Sequence, residues 1–272
     1  MKIVVLKKNL RDALGIVERA VSENANLPVL KSVLIRAGGD ALQLRATNLE
    51  IAVTTSVSGK IVESGGLAVP FFPLYHIMNS VSSERIELQT KDNVLEIITD
   101  NYSAKIQGIP EADFPLVPSV EDAGASINID AQILRDALTQ AMTAAQPSEI
   151  RPELGGILFD FQLTLLVLVA TDSFRMARKI LTDKQWKSTC DRAWKAIVPL
   201  PTIQEIVRIF PSGKMLTCAF DTHQILVGDG TTQLVSRLIE GDYPDYEAVL
   251  PKAFSGDVTI ESAHFAQALK LV

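Results

Sequence analysis

Histidine, cysteine and unbroken apolar stretches are all scarce in this chain, and each scarcity closes off a class of function. Three histidines, His76, His223 and His264, stand isolated among 272 residues, and a lone histidine is more often a surface or core residue than a catalytic base. No HExxH, GxSxG or P-loop pattern occurs. Cys190 and Cys218 are the only two cysteines, without a CxxC spacing, so neither a disulfide framework nor a structural zinc site is expected, and a reducing cytoplasm is the expected compartment. No cofactor and no metal is called for. The apolar run Leu163 to Ala170, broken by Thr164, has the length of a buried strand and falls far short of the roughly 20 residues of a membrane span. Lys2, Lys7 and Lys8 surround only the short Ile3-Val4-Val5-Leu6 stretch, so a secretory leader is not expected. Positive charge is also in deficit: Lys and Arg number 26 against 32 Asp and Glu, a net charge of −6. Tight, generic grip on phosphates is disfavoured, but not a protein that surrounds DNA loosely with positive potential on one inner surface.

What the chain does have is a repeat. Leu10-Arg11-Asp12-Ala13-Leu14 returns letter for letter as Leu134-Arg135-Asp136-Ala137-Leu138, and Ala46-Thr47-Asn48 returns as Ala170-Thr171-Asp172, both 124 residues later. Pro28, Leu30, Val33 and Leu34 meet Pro152, Leu154, Ile157 and Leu158 at the same offset. Further on, Val69-Pro70 meets Val198-Pro199 and Asp113-Phe114-Pro115 meets Asp242-Tyr243-Pro244 at an offset of 129, which a loop insertion of about five residues produces. Shared offsets of this kind imply duplicated domains. A third copy opens where Val258-Thr259-Ile260, Phe265, Ala268 and Leu269 overlay Ile127-Asn128-Ile129, Leu134, Ala137 and Leu138.

Each repeat starts with a short strand and a helix. Leu10, Leu14, Val17 and Val21 fall on one stripe of the first helix, and Leu134, Leu138, Ala141 and Ala145 on the same stripe of its counterpart, with Asp130 as N-cap. A second helix follows each Val-Pro pair, carried by Leu74, Ile77, Met78 and Val81 and by Ile203, Ile206, Val207 and Phe210, with Pro73 and Pro201 near the helix starts. Strands are expected over 33–37, 41–46, 51–57, 86–90 and 94–99, and a hairpin turn at Gly228-Asp229-Gly230-Thr231-Thr232. The fold class is therefore α+β: tandem repeated units of two helices packed on antiparallel sheets, two complete and the start of a third. Domains are expected over 1–120, 126–252 and 257–272, with linkers over 119–126 and 252–257.

The repeat layout, with Leu27-Pro28-Val29-Leu30, the segment Ala170-Thr171-Asp172-Ser173-Phe174-Arg175-Met176-Ala177 and the segment Ser236-Arg237-Leu238-Ile239-Glu240-Gly241-Asp242-Tyr243-Pro244-Asp245-Tyr246, resembles the bacterial β sliding clamp family, the DNA polymerase III beta subunits. The resemblance covers the whole chain. It implies a processivity factor without catalytic activity, in which two three-domain chains close head to tail into a ring around double-stranded DNA, with helices inside and sheets outside. A ring holds DNA by topology, so a net acidic chain suits the task. About a hundred residues of a third domain, the size of one such unit, are missing from this chain by comparison. The resemblance implies a homodimer for a complete chain and a monomer for this one.

Family members dock Gln-Leu-x-x-Phe type peptides of the replicative polymerase, clamp loader and repair polymerases in an apolar pocket between the second and third domains. Position by position, that pocket corresponds here to Leu154, Thr171, Phe174, Arg175, Met176, Pro244 and Val249. Each apolar anchor buried there is worth roughly 1.5–3 kcal/mol, with Thr171 and Arg175 fixing the polar end. Phe174 stands where many members carry His, and Asn24-Ala25-Asn26 is uncharged where members often carry Arg near DNA. Arg11 and Arg135 share one slot in the two first helices and are placed on the DNA-facing side. The competing reading is a shortened clamp-like adaptor that binds partner peptides or the clamp loader without encircling DNA. An enzyme on a duplicated α+β fold needs a convergent polar cluster, which the sequence does not offer; Asp172 and Arg175 are close enough in sequence for a local ion pair only.

Overall fold

The computed structural model describes residues 1–22, 26–117, 124–148, 150–189, 192–251 and 253–271. One order of elements runs through it twice. The first copy is β1 (Lys2–Leu6), α1 (Lys7–Val17), β2 (Ser32–Gly38), β3 (Ala41–Thr47), β4 (Ile51–Glu63), β5 (Gly65–Pro70), α2 (Phe71–Ser80), β6 (Arg85–Lys91), β7 (Val94–Ile98), β8 (Ser103–Gln107) and the short β9 (Ile109–Pro110). The second is β10 (Ala125–Asp130), α3 (Ala131–Met142), β11 (Gly156–Gln162), β12 (Leu165–Thr171), β13 (Met176–Thr182), β14 (Trp186–Ser188), β15 (Trp194–Pro199), α4 (Leu200–Ile209), β16 (Met215–Phe220), β17 (Gln224–Gly228) and β18 (Thr232–Arg237). α5 (Ser262–Leu269) follows. Every strand pairing among the described residues is antiparallel, and no helix there is long and apolar enough to cross a membrane.

The copies differ in one instructive place. β4 pairs with β3 along its first half and with β1 along its second, so a single 13-residue strand belongs to two sheets. Where it changes partner, a Cβ on Gly59 would come within 2.7 Å of the Val5 side chain; only glycine lets the strands approach this closely. In the second copy the same job is split between β13, paired with β12, and β14, paired with β10, with a turn at 183–185 between them.

Helix pairs α1/α2 and α3/α4 pack on the sheets. α1 buries Leu10, Ala13, Leu14 and Val17, and α3 buries Ala131, Leu134, Ala137, Leu138 and Ala141, the i, i+3, i+4, i+7 stripe of an amphipathic helix. The Asp130 side chain accepts from the amides of Gln132 (2.8 Å) and Ile133 (3.2 Å), as the cap signature requires. Both helices end earlier than their apolar stripes. α1 tightens into a 3-10 turn over Glu18–Ala20, after which Val21 is extended, and Ala145 lies beyond the end of α3. Val21 and Ala145 still pack against the core; an apolar side chain reaches it from a connecting turn as well as from a helix.

The main apolar cluster of the core spans both copies, because the copies share a sheet; Leu34, Ala68 and Phe114 form a small separate cluster. β18 pairs with the start of β4, from Thr232 opposite Thr55 to Ser236 opposite Ile51. The hydroxyls of Thr55 and Thr232, both buried, lie 2.8 Å apart across this joint. Met1–Asp242 accordingly forms one compact unit, and Tyr243–Val272 a second. Most of the linker expected over 119–126, and Lys252 of the other, lie outside the described residues.

The Gly228–Thr232 segment is the tight connection between β17 and β18, with Gly230 at φ +87°. Burial opposes charge on Asp229, but hydrogen bonds from Lys214 and from the amides of Thr232 and Thr231 prevail and hold its carboxyl below the usual range. One expectation fails: Val258-Thr259-Ile260 forms no strand, although α5 forms just after it. β1 and β10, which the segment overlays, are each held between two neighbouring strands. A strand needs such partners, whereas a helix closes its hydrogen bonds within itself.

Candidate docking turn and helix face

The connection between β3 and β4 and that between β12 and β13 are the same object built twice. In the first, Thr47 Oγ1 donates to Ile51 O (2.8 Å) and accepts from the Leu49 amide (3.0 Å), while Asn48 Oδ1 accepts from the amides of Glu50 (3.0 Å) and Ile51 (2.8 Å). In the second, Thr171 Oγ1 donates to Arg175 O (2.8 Å) and accepts from the Ser173 amide (3.1 Å), while Asp172 Oδ1 accepts from the amides of Phe174 (3.0 Å) and Arg175 (2.9 Å). The third residue of each is left-handed, Leu49 at φ +76° and Ser173 at φ +74°. The Thr-Asx pair is what the geometry needs: both side chains accept from amides two or three residues ahead and replace ladder bonds that a strand end cannot make.

The network fixes backbone and leaves side chains projecting. Phe174 is 98% exposed, an unusual state for an aromatic ring that gains most by burial. Arg175 Nε reaches Asp172 Oδ2 at 3.0 Å. The amides of Arg175 and Phe174 hold the Asp172 carboxyl below its usual range; burial opposes them and the Arg175 guanidinium reinforces them. Thr171, expected to meet a ligand with its hydroxyl, spends that hydroxyl on the turn. Met176 is half-buried at the start of β13, and Leu154 is buried in the 3-10 turn Pro152–Leu154. Behind that turn, a Cβ on Gly156 would stand 2.3 Å from Val198 O, so the close approach of β11 and β15 sets the position of Leu154. In the second unit, Pro244 is half-buried and Val249 exposed, beside a turn in which Asp245 Oδ1 accepts from the amides of Glu247 and Ala248.

Sequence reasoning missed Arg151. Its guanidinium pairs with Glu153 (Nε to Oε1, 3.1 Å) and reaches Ser173 Oγ at 3.5 Å, joining the Leu154 turn to the docking turn. The available signal was a charged residue directly before Pro152, the start of the segment that carries Leu154.

On the helices, Arg11 and Arg135 occupy the same slot in different ways. Arg11 is exposed and, among the described residues, pairs with Asp12 alone, at 3.4 Å. Arg135 is half-buried and donates to Phe210 O at 3.0 Å, a carbonyl at the C-terminal end of α4, where a cation is favoured. Lys8 and Arg11 are the exposed cations of α1, while the exposed face of α3 carries Gln132, Asp136, Thr139 and Gln140. Among the described residues no group of three metal-ligating side chains is assembled, and Cys218 is buried, which pushes its thiol up to about 12. The arrangement offers surfaces for binding.

Residues 1–118 match the family model described as the N-terminal domain of the DNA polymerase III beta subunit, and residues 128–245 match the model of its central domain. The chain belongs to this family. The family is the sliding clamp, a non-catalytic processivity factor. The chain is similar to the beta sliding clamp of Chlamydia muridarum, 26% identical over 273 residues that cover 100% of this chain and 74% of the relative. It superposes on the DNA polymerase sliding clamp of Bacillus subtilis with a TM-score of 0.93, at 21% identity, over 100% of this chain and 73% of the other. The Helicobacter pylori beta clamp bound to a DNA ligase peptide gives a TM-score of 0.91 at 24% identity, over 100% of this chain and 75% of the other. At these identities the two superpositions establish the fold, with α+β architecture and antiparallel sheets as expected. The chain spans 65 to 75% of the length of the relatives it matches.

Proposed function

We propose that this chain is a DNA sliding clamp that serves the bacterial replicative polymerase, surrounding double-stranded DNA without reading its sequence and docking partner proteins through short peptides. The observation that carries this reading is the succession of two clamp-domain matches along a chain whose whole fold superposes on 73% of a solved clamp chain. The domains are 1–120, 126–252 and the opening of a third at 257–272, and the setting is the cytoplasm. Arg11 faces DNA. Arg135, tied to Phe210 O, acts there through helix position more than through free charge.

The docking residues of this reading are Leu154, Thr171, Phe174, Arg175 and Met176 of the first unit and Pro244 and Val249 of the second, for Gln-Leu-x-x-Phe type peptides of the polymerase, clamp loader and repair polymerases. Support comes from the exposed Phe174 and Arg175 on a hydrogen-bonded turn, and from the ligase peptide held by the H. pylori clamp. Thr171 contributes by shaping the turn. A fluorescent Gln-Leu-x-x-Phe type peptide titrated against the chain tests this: Met176→Ala and Pro244→Ala should each weaken binding, and saturable binding indifferent to both would sink the assignment. For assembly, the reading takes a homodimeric ring around DNA for a complete chain and a monomer for the 272-residue polypeptide by itself, and a stable closed dimer of that polypeptide by light scattering would refute the second part.

A further inference from the structure

The duplicated turn raises a question about its first copy, which is not bare surface. Beside it, at the joint between β18 and β4, lie two adjoining depressions of about 480 and 100 Å³ that share Glu50, Ile51, Ser236 and Arg237. Thr47, Glu50, Ile51 and Ala52 of this wall stand, at the repeat offset of 124, where Thr171, Phe174, Arg175 and Met176 stand in the second copy. The opposite wall comes from β17 and β18, through Gln224, Val235 and Arg237.

The groove's chemistry is specific. Gln224 Oε1 and Glu205 Oε2 line it as buried acceptors with no hydrogen-bond partner among the described residues, a costly condition that an incoming N–H donor relieves. Leu49 and Leu116, 49% and 97% exposed, put large apolar side chains at one end. Among the described residues the Arg19 and Arg237 guanidinium groups line the groove without an ion pair, while of the two carboxylates Glu205 is already paired with Arg208 and Glu50 is unpaired. Among the described residues, that leaves one more free cation than free anion along the groove. Donors for buried acceptors, an apolar anchor and a carboxylate for an arginine describe one ligand: an extended peptide segment with an acidic residue beside a bulky aliphatic one.

We propose that the groove between the two repeats is a second docking site, for an acidic-aliphatic peptide segment of a partner protein. The inference rests on the clamp reading for the class of ligand and on the groove alone for its location.

The test is a methyl-labelled NMR titration of the full chain with acetyl-Asp-Leu-Glu-Leu-amide, and with acetyl-Lys-Leu-Lys-Leu-amide as the charge-reversed control. Saturable shifts at the Ile51, Leu116 and Val235 methyls with the acidic peptide are expected. They should weaken about tenfold in Arg237→Ser, as for a lost charge-assisted hydrogen bond, and persist in Met176→Ala. Arg237 and Leu116 are exposed, so Arg237→Ser and Leu116→Ser leave the fold intact, and Leu116→Ser provides a second loss of binding. Equal shifts with the lysine peptide, or no shift at these methyls at low-millimolar peptide, overturns the proposal. A parallel titration with the Gln-Leu-x-x-Phe type peptide marks the docking turn through Leu154 and Met176: acidic-peptide shifts confined to those two residues would leave the docking turn standing and remove the groove.

Discussion

Thr55 and Thr232 offer the sharpest test of how the two repeats are joined. Their hydroxyls face one another at 2.8 Å, at 2% and 5% exposure, across the pairing of β4 with β18. Thr55→Val replaces a hydroxyl by a methyl and leaves Thr232 Oγ1 buried beside it; Thr232→Val does the reverse. A buried hydroxyl deprived of its partner costs about 1–3 kcal/mol, whereas removing both partners together is nearly neutral. The double variant should therefore be as stable as the parent, within about 0.5 kcal/mol, and the cycle should return a coupling of about 1–3 kcal/mol. Urea unfolding of all four proteins measures it through the transition midpoints at unchanged slope. Single variants within about 0.5 kcal/mol of the parent, or a double variant that shows the sum of the two losses, would refute the argument.

Three further outcomes follow from the geometry. Gly156→Ala places a methyl 2.3 Å from Val198 O; because a backbone atom must give way, it should cost about 1–3 kcal/mol, read as a fall in melting temperature, and an unchanged temperature would contradict the clash. Cys218, its thiol pushed up to about 12 by burial, should resist a disulfide reagent at mildly alkaline pH in a Cys190→Ser background and react only in denaturant; rapid native labelling would disprove this. Asp172 has its folded-state pKa lowered, chiefly by the amides of Arg175 and Phe174, so its contribution is present at neutral pH and disappears as pH falls below about 4. The stability gap between parent and Asp172→Asn should accordingly close in acid, and a gap constant across pH would count against this role.

The repeat was legible because duplication leaves a signature no local rule can erase: identical spacing between the Leu10 and Leu134 helices and between the Thr47 and Thr171 turns. Strand positions and helix stripes came from periodicity, and the Asp130 cap from residue type. The sheet shared through β4 and β18 was not legible, since the pairing of Thr55 with Thr232 joins residues far apart in sequence that carry no distinctive pattern. Helix ends were overrun for a related reason. Val21 and Ala145 keep the apolar stripe going because they reach the core, and burial does not report whether the backbone beneath is still helical. At the site, the family resemblance pointed to Thr171 and Arg175 but not to their use: one hydroxyl can serve either a ligand or its own turn, and only the turn's geometry shows that Thr171 spends its hydroxyl there.

Leu49 holds a left-handed backbone at the edge of the groove. Its φ of +76° is a conformation that costs a residue with a Cβ about 1–2 kcal/mol, which asparagine tolerates far better. The turn's hydrogen bonds hold it there. At 49% exposure Leu49 recovers only part of that cost by burial, so stability alone gives little reason for leucine at this position. Leu49→Asn should thus stabilise the chain by up to about 1 kcal/mol, measured by chemical denaturation, while weakening the acidic-aliphatic peptide at the groove that Leu49 lines. If the substitution stabilises the fold and leaves that peptide's shifts untouched, the strain serves no binding at this groove. If it destabilises, the turn depends on leucine packing more than on the Thr47-Asn48 network. Gain in one measurement with loss in the other is the result that ties the strained residue to the surface it supports.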